Sequence, residues 1–271
     1  MDNTNIVYVR DIASEVEALA PVALKEDWDN VGLMVGESDA RVRKVLVALD
    51  VVDGVIDEAL SAGADMIVAH HPLIFGGLKS VTSDTPTGRR IIRLLRANIA
   101  VYAAHTNLDS AEGGVNDALF GVLGLAGRKV LMGGAENAAG LGRVGDLPTP
   151  VPLGEFAKFV RERLGAPHIS FCGEASSPVS RVGLCGGAAC DTPFLQAAKA
   201  QGCHVYITGD VKYHKAQEAA DLGLCLIDAT HYYSEVHIVP LLCRYLAGKF
   251  PHTEVVPSAF NPQTMQIVRN C

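Results

Sequence analysis

The chain alternates between two hydrophobic periods, and that alternation fixes what it can fold into. Short apolar runs of strand length, such as Lys44 to Asp50 (KVLVALD), are separated by segments with apolar residues three or four apart, such as Ile12, Val16 and Leu19. Residues 10–20 have helical spacing and stop at Pro21. Residues 52–62 read as a helix ending at Gly63, a residue suited to a left-handed C-cap. Asp65 to Ala69 is the next strand, Arg89 to Asn98 an amphipathic helix, Ile99 to Ala104 (IAVYAA) a strand and Gly114 to Leu123 a helix. This order predicts an α/β fold with a largely parallel sheet. Residues 132–150 hold five Gly and two Pro and read as a boundary. Beyond it come a helix over 153–164 and the strands RVGLCG, HVYITGD and LCLIDA. KVLVALD…ALSAGADMIVAHHP and RVGLCGG…AAKAQGCHVYITGDVKYH share strand, helix, glycine, strand and polar end in the same order. Two related α/β lobes produce such an echo, and so do any two βαβ units.

Composition narrows the class. A length of 271 residues suits one large domain or two smaller ones, and 49% hydrophobic residues is ordinary for a globular protein. The net charge of -7 argues against a nucleic-acid or anionic-membrane surface, although a local basic patch escapes such a count. No apolar run approaches the ~18 residues of a membrane span. The start, Met1 to Asn5, lacks the basic-then-apolar layout of a secretion signal. The seven cysteines (172, 185, 190, 203, 225, 243 and 271) form no C-x-x-C pair and read as reduced thiols of a cytoplasmic protein.

Chemistry-bearing residues gather just past strand ends. VAHHP follows one strand, HTNLD (His105 to Asp109) the next, and THYYSE (Thr230 to Glu235) follows LCLIDA. Ligands of open α/β sheets bind outside the carboxyl ends of the strands, so three such clusters can converge. Imidazole and carboxylate suit Zn, Mn and Fe. His231 and Glu235 are four apart, as are His105 and Asp109, which sets each pair on one face of a helical turn. Neighbouring side chains on a strand point to opposite faces, so His70 and His71 are expected to diverge and to bind one ion each at a two-metal site. Pro72 holds His71 extended and ends the strand. Glu235 or Asp109 is available as a bridging carboxylate. A lone histidine at a strand end is usually a polar cap, but three His/carboxylate clusters at one edge favour metal. No G-x-S-x-G or G-x-x-x-x-G-K-[ST] motif is present. CGGAAC (185–190) reads first as a glycine turn and second as a phosphate cradle.

At these residues the chain resembles the GTP cyclohydrolase I type 2 homologues, also called the NIF-three-like dinuclear metal-centre proteins. The matching pieces are WDNVGLMVG (28–36), AHHPLIF (69–75), HTNLD (105–109), TGDVKYH (208–214) and HYYSE (231–235), which span nearly the whole chain in the family order. The resemblance implies two divalent metal ions per chain (Zn, Fe, Mn or Ni) held by His70, His71, Asp109, His231 and Glu235, with Glu235 bridging. It implies two related α/β lobes with mixed, largely parallel sheets and the metal site in the cleft between them. The first lobe is expected at 1–131, completed by the returning segment 226–271, and the second at 132–225. The spacing from Asp109 to His231 leaves no room for the domain inserted in longer members. Pro240 reads as N1 of a final helix, which leaves His231 and Glu235 in a short turn.

The resemblance further implies a homohexamer, a trimer of dimers forming a hollow ring, for which VHIVPLLCRYL offers an apolar helix face. His105 and His214 are the candidates to move protons, and Asp210 to orient a ligand, with Asp29 and Asn30 also facing the site. Two functions compete. One is metal-dependent hydrolysis of a nucleotide-like or phosphorylated small molecule, as the family's name implies. The other is a non-enzymatic ring that is metal-handling, regulatory or DNA-associated; thinly spread Lys and Arg argue against the DNA variant.

Overall fold

A strand apolar on both faces must be covered on both faces, and the central strands follow this rule. In chain order the computed structural model contains β1 (Val7–Tyr8), α1 (Val9–Leu19), β2 (Gly32–Val35), β3 (Arg41–Val42), β4 (Lys44–Ala48), α2 (Asp53–Ala62), β5 (Met66–Ala69), α3 (Pro86–Arg96), β6 (Ala100–Ala103) and α4 (Thr106–Ser110). Next come α5 (Val115–Leu123), β7 (Ala126–Met132), β8 (Leu141–Pro152), α6 (Leu153–Leu164), β9 (Ser170–Cys172), β10 (Pro178–Leu184), α7 (Thr192–Ala200), β11 (Val205–Thr208), α8 (Tyr213–Asp221) and β12 (Cys225–Asp228). The chain closes with α9 (His231–Glu235), α10 (Ile238–Lys249) and β13 (Glu254–Pro257). The structure describes residues 6–133 and 139–263; the first five residues, part of the glycine-rich stretch and Cys271 lie outside them. No helix among the described residues is long and apolar enough to cross a membrane.

The chain divides into two compact units. Unit 1 runs to Leu108 and resumes at Val239; unit 2 runs from Asp109 to Ile238. In unit 1 the sheet order is β13-β4-β5-β6-β2, parallel throughout except for β2 on β6. Every residue of β5 and β6 is buried. Helix α2 ends at Gly63 with φ 65°, the left-handed cap expected from the sequence. In unit 2 the order is β7-β8-β10-β11-β12-β9, parallel only across β10, β11 and β12. Alternate strand residues serve the two faces. Val182, Leu184, Val205, Ile207 and Ile227 pack with α5 and α6, while Tyr206 and Leu226 pack with α7 and α8.

The α/β class with mixed sheets agrees with the sequence reading, but the lobe boundaries do not. β7 was expected in the first lobe and the segment from 226 was expected to return to it. Instead β7 pairs with β8 and β12 pairs with β11, which puts both in the sheet of unit 2. The return begins at Val239, and β13 then lies parallel to β4. The described part of the glycine- and proline-rich stretch, read as a boundary, is largely β8, a strand inside the sheet of unit 2. Its ladder with β10 shifts register between Val151 and Asp146, so Pro148 and Pro150 sit where no ladder N–H is needed. Helix α3 starts at Pro86, earlier than expected, because Thr85 caps it by accepting from Gly88 N at 3.1 Å. Pro240 is the third residue of α10 rather than the first, still within the turn whose N–H groups lack helical partners.

One charge lies deep in unit 2. The Arg143 side chain is fully buried, and all five of its N–H donors are used. Nε and Nη2 donate to Asp117 at 2.6 and 3.2 Å, Nη1 to the Gly140 and Gly142 carbonyls at 2.6 and 2.9 Å, and Nη2 to Ala111 O at 2.9 Å. Burial alone would raise the Asp117 carboxyl; Arg143, the Gly113 amide and Arg128 outweigh it and hold the group below its usual range. A depressed folded pKa contributes stability above the unfolded value of about 3.9, and that stability is lost as pH falls through the folded value. Asp117→Ala is therefore expected to cost about 3–5 kcal/mol near neutral pH, because a buried guanidinium loses its counter-charge. Urea midpoints at neutral pH and below the carboxylate range check this: the gap between wild type and variant should shrink in acid.

Candidate metal centre

In unit 1, β5 ends at Ala69 and the backbone bends at His70 and His71. Consecutive N–H groups of a regular strand point to opposite neighbours. Here His70 N and His71 N both donate to the end of β4, to Ala48 O at 3.2 Å and Leu49 O at 2.8 Å. The expected divergence of the two side chains therefore does not occur, and the ring centroids are 4.9 Å apart. His105, two residues past β6, joins them at 5.2 Å from His70 and 5.6 Å from His71. One ring nitrogen from each of the three lies within 4.8 Å of the others.

In unit 2, α9 sets His231 and Glu235 on one face, with Nε2 and Oε2 3.2 Å apart. Asp109 offers a carboxylate oxygen within 4.8 Å of Glu235. Glu235 is nearly fully buried. Two backbone positions before α9 lie in the left-handed region without being glycine: Asp210 at φ 53° and the β-branched Thr230 at φ 62°. Such conformations cost of order 1–3 kcal/mol each and persist only where the surroundings enforce them. Asp210 receives the His231 ring and Thr230 precedes it, so the strain is located where His231 is aimed.

The four imidazoles share one arrangement. Nδ1–H donates to Ala104 O in His70 (2.9 Å), to Asp50 in His71 (2.8 Å), to Asp29 in His105 (2.8 Å) and to Asp210 in His231 (2.8 Å). A carbonyl or an ionised carboxylate only accepts, so Nδ1 carries a proton in each ring, and in the neutral ring Nε2 is then the nitrogen with the lone pair. This is the tautomer and the support that metal-binding histidines use. In unit 2 His231 Nε2 lies 3.2 Å from a Glu235 oxygen, and an Asp109 carboxylate oxygen lies within 4.8 Å of one from Glu235, a grouping of donor atoms that a shared cation would suit. The donor sets of both units therefore fit divalent metal ions.

The supporting residues are as specific as the donors. Asp29 is buried, and hydrogen bonds from His105 and Thr106 overcome the raising effect of burial to hold its carboxyl below the usual range. Burial, and the neighbouring His70, pull the His105 imidazole below its ordinary value against the opposing bond to Asp29. His214, by contrast, is exposed on α8 and bonds Gln217 of the same helix at 3.2 Å. Asn30 is exposed and donates to Ile74 O at 2.6 Å.

Sequence reasoning missed Asp50, although it stands immediately past a strand and the strand-end rule applies to it. It also missed Asn116, which donates to Asp109 O at 2.9 Å and accepts from Gly186 N at 2.9 Å, and Ser234, which accepts from Gly187 N at 2.9 Å. Those two bonds occupy the amides of the glycine turn, so it is not a phosphate cradle. Its glycines have another use: a Cβ on Gly187, which sits at φ 68°, would run into Glu235 Oε1.

A family model described as Duf34/NIF3 (NGG1p interacting factor 3) matches residues 7–264. The chain is 37% identical over 242 residues to a Clostridium acetobutylicum protein named GTP cyclohydrolase 1 type 2 homolog, an alignment covering 89% of this chain and 90% of the relative. A Streptomyces coelicolor protein of the same name is 38% identical, with 83% of this chain and 80% of the relative covered. Among solved structures, a Bacillus cereus protein described as related to NIF3 superposes with a TM-score of 0.91 at 27% identity, covering 98% of this chain and 100% of that one.

The Nδ1 supports have a measurable consequence. Asp50→Ala and Asp210→Ala, which leave every donor atom in place, are each expected to weaken metal affinity about 10- to 100-fold. Competition with a chromophoric chelator reads this directly.

Proposed function

The chain belongs to the Duf34/NIF3 family, and from that premise we propose that it is a metal-dependent hydrolase acting on a nucleotide-like or phosphorylated substrate. His70, His71, Asp109, His231 and Glu235 hold two divalent ions in this reading. The observation that carries it is that Nδ1 of His70, His71 and His231 each lies 2.8–2.9 Å from an acceptor oxygen, which orients the ring and leaves Nε2 as the nitrogen available to an ion. Five protein ligands for two ions leave coordination positions for water and substrate, as in reactive rather than structural centres. Bound ions of this kind bring the pKa of a coordinated water toward ~7 and polarise a carbonyl or phosphoryl oxygen. The chain's own part is to hold, orient and move protons. His105 Nε2 would take a proton from the attacking water and return it to the leaving group, while Asp29 at Nδ1 keeps the ring in register and stabilises the imidazolium formed between the two transfers. His105 is favoured over His214 for this step because it is grouped with His70 and His71, whereas His214 is exposed on α8. Asp50 and Asp210 orient His71 and His231, and Gly187 leaves room for the Glu235 carboxylate. The relatives' name, GTP cyclohydrolase 1 type 2 homolog, supports a nucleotide-like substrate.

Elemental analysis of the purified protein is expected to find up to two divalent transition metals per chain, and the His71→Ala/Glu235→Ala double variant to lose most of that content. A screen of metal-replete protein against nucleotides and phosphoesters is expected to give turnover that Asp109→Asn abolishes. His105→Ala should lower kcat about 10²- to 10⁴-fold with metal content unchanged. Full metal retention in the double variant overturns the ligand set, and absence of turnover with every metal and substrate overturns the hydrolase.

We also propose that the chain assembles as a homohexamer, as its sequence resemblance implies. Light scattering should return the mass of six chains at micromolar concentration; a monomer mass overturns the assembly.

A further inference from the structure

Two large aromatic side chains stand in solvent beside His105. Trp28 is 59% exposed and Phe75 is 58% exposed. Their centroids are 5.7 Å apart at 42°, and each lies 6.1 Å from the His105 ring in an edge-on arrangement. Neither sits on a loose loop. Asp29, next to Trp28, is bonded to His105 and Thr106 through its carboxylate, to Glu26 O through its amide and to Lys25 Nζ through its carbonyl. Glu26 N donates to Thr106 Oγ1 at 2.9 Å. Asn30 Nδ2 reaches Ile74 O at 2.6 Å and ties the Trp28 loop to the residue preceding Phe75. Paired aromatic surface left exposed in a hydrogen-bonded frame marks a binding surface.

We propose that Trp28 and Phe75 form a stacking platform for a planar heteroaromatic ring of the substrate, delivering the rest of that molecule to His105 and its neighbours. The inference rests on the hydrolase reading for what happens at the far end of the substrate, but not for the binding itself. Three points favour a ring over other occupants. The platform is continuous with the His70, His71 and His105 group, so an occupant lies against the reactive end. Indole and phenyl faces bind a flat π-system irrespective of its hydrogen-bonding edge, whereas they offer nothing to a bare phosphate. The edge-on approach of both rings to His105 is a contact that does not cover them by stacking.

Trp28 is the only tryptophan of the chain, so its fluorescence reports on this place alone. Guanosine monophosphate, titrated into metal-loaded protein with correction for base absorption, is expected to change Trp28 emission saturably. Ribose phosphate should not do so. Phe75→Ala, which keeps the reporter, should weaken the apparent affinity roughly 5- to 150-fold, and Phe75→Tyr should restore it. Metal content should be the same in all three proteins. Saturable emission change without turnover supports the platform and retires the hydrolase. Turnover of ring-free phosphoesters alone, with kcat/KM unchanged in Phe75→Ala, retires the platform and leaves the hydrolase. No saturable change up to millimolar nucleotide, equal change with ribose phosphate, or a Phe75→Ala protein with unaltered affinity overturns the proposal. A change of assembly mass in Phe75→Ala without any change of affinity also overturns it, because the pair then belongs to a contact between copies.

Discussion

An imidazole presents a lone pair from one nitrogen only while the other holds a proton, and whatever bonds that proton decides which nitrogen it is. In this protein the decision is made four times in the same sense. A backbone carbonyl fixes His70, and three carboxylates fix His71, His105 and His231. Each acceptor is itself supplied by the chain end of a strand or by a pinned loop. Loss of such an acceptor leaves a ring able to turn or to exchange tautomers, and the donor ceases to be defined even though its residue is unchanged.

The two units deliver these groups from matching positions. In each, three consecutive parallel strands lie side by side, β4-β5-β6 and β10-β11-β12. Past the first strand stand Asp50 in one unit and the Gly186–Gly187 turn in the other. Past the second stand His70 and His71 in one and Asp210 in the other. Past the third stand His105 in one and His231 with Glu235 in the other. A parallel strand terminates at the same sheet edge as its neighbours, so side chains just beyond the ends share a region without any need for long loops.

Much of this was legible in the sequence because strand-length apolar runs and helical spacing are local signals. The strands β4, β5, β6, β11 and β12 and the helices α1, α2, α5 and α6 lie where periodicity put them. The residues of HHP, HTNLD and HYYSE were visible as clusters at strand ends. What escaped was decided by contacts distant in sequence. The Gly- and Pro-rich stretch forms most of β8 because β7 and β10 flank it, a fact that its composition does not carry. The rings of His70 and His71 approach each other because the hydrogen bonding of β5 to β4 runs past the strand end and bends the backbone. Asn116 and Ser234 support the site through bonds to Gly186 and Gly187, 70 and 47 residues away, and no spacing rule announces such pairs.

Gly187 gives the last of these contacts a further consequence. The space a Cβ would need is filled by a carboxylate oxygen of Glu235, so a side chain at position 187 would push that carboxylate out of its place. Its left-handed backbone adds a second, independent cost to any replacement. The steric part of the constraint vanishes if Glu235 is shortened, whereas the backbone part does not. The two positions are therefore coupled: shortening Glu235 would remove the steric part of the restriction on residue 187 and leave the backbone part, so the costs of the two substitutions would not add.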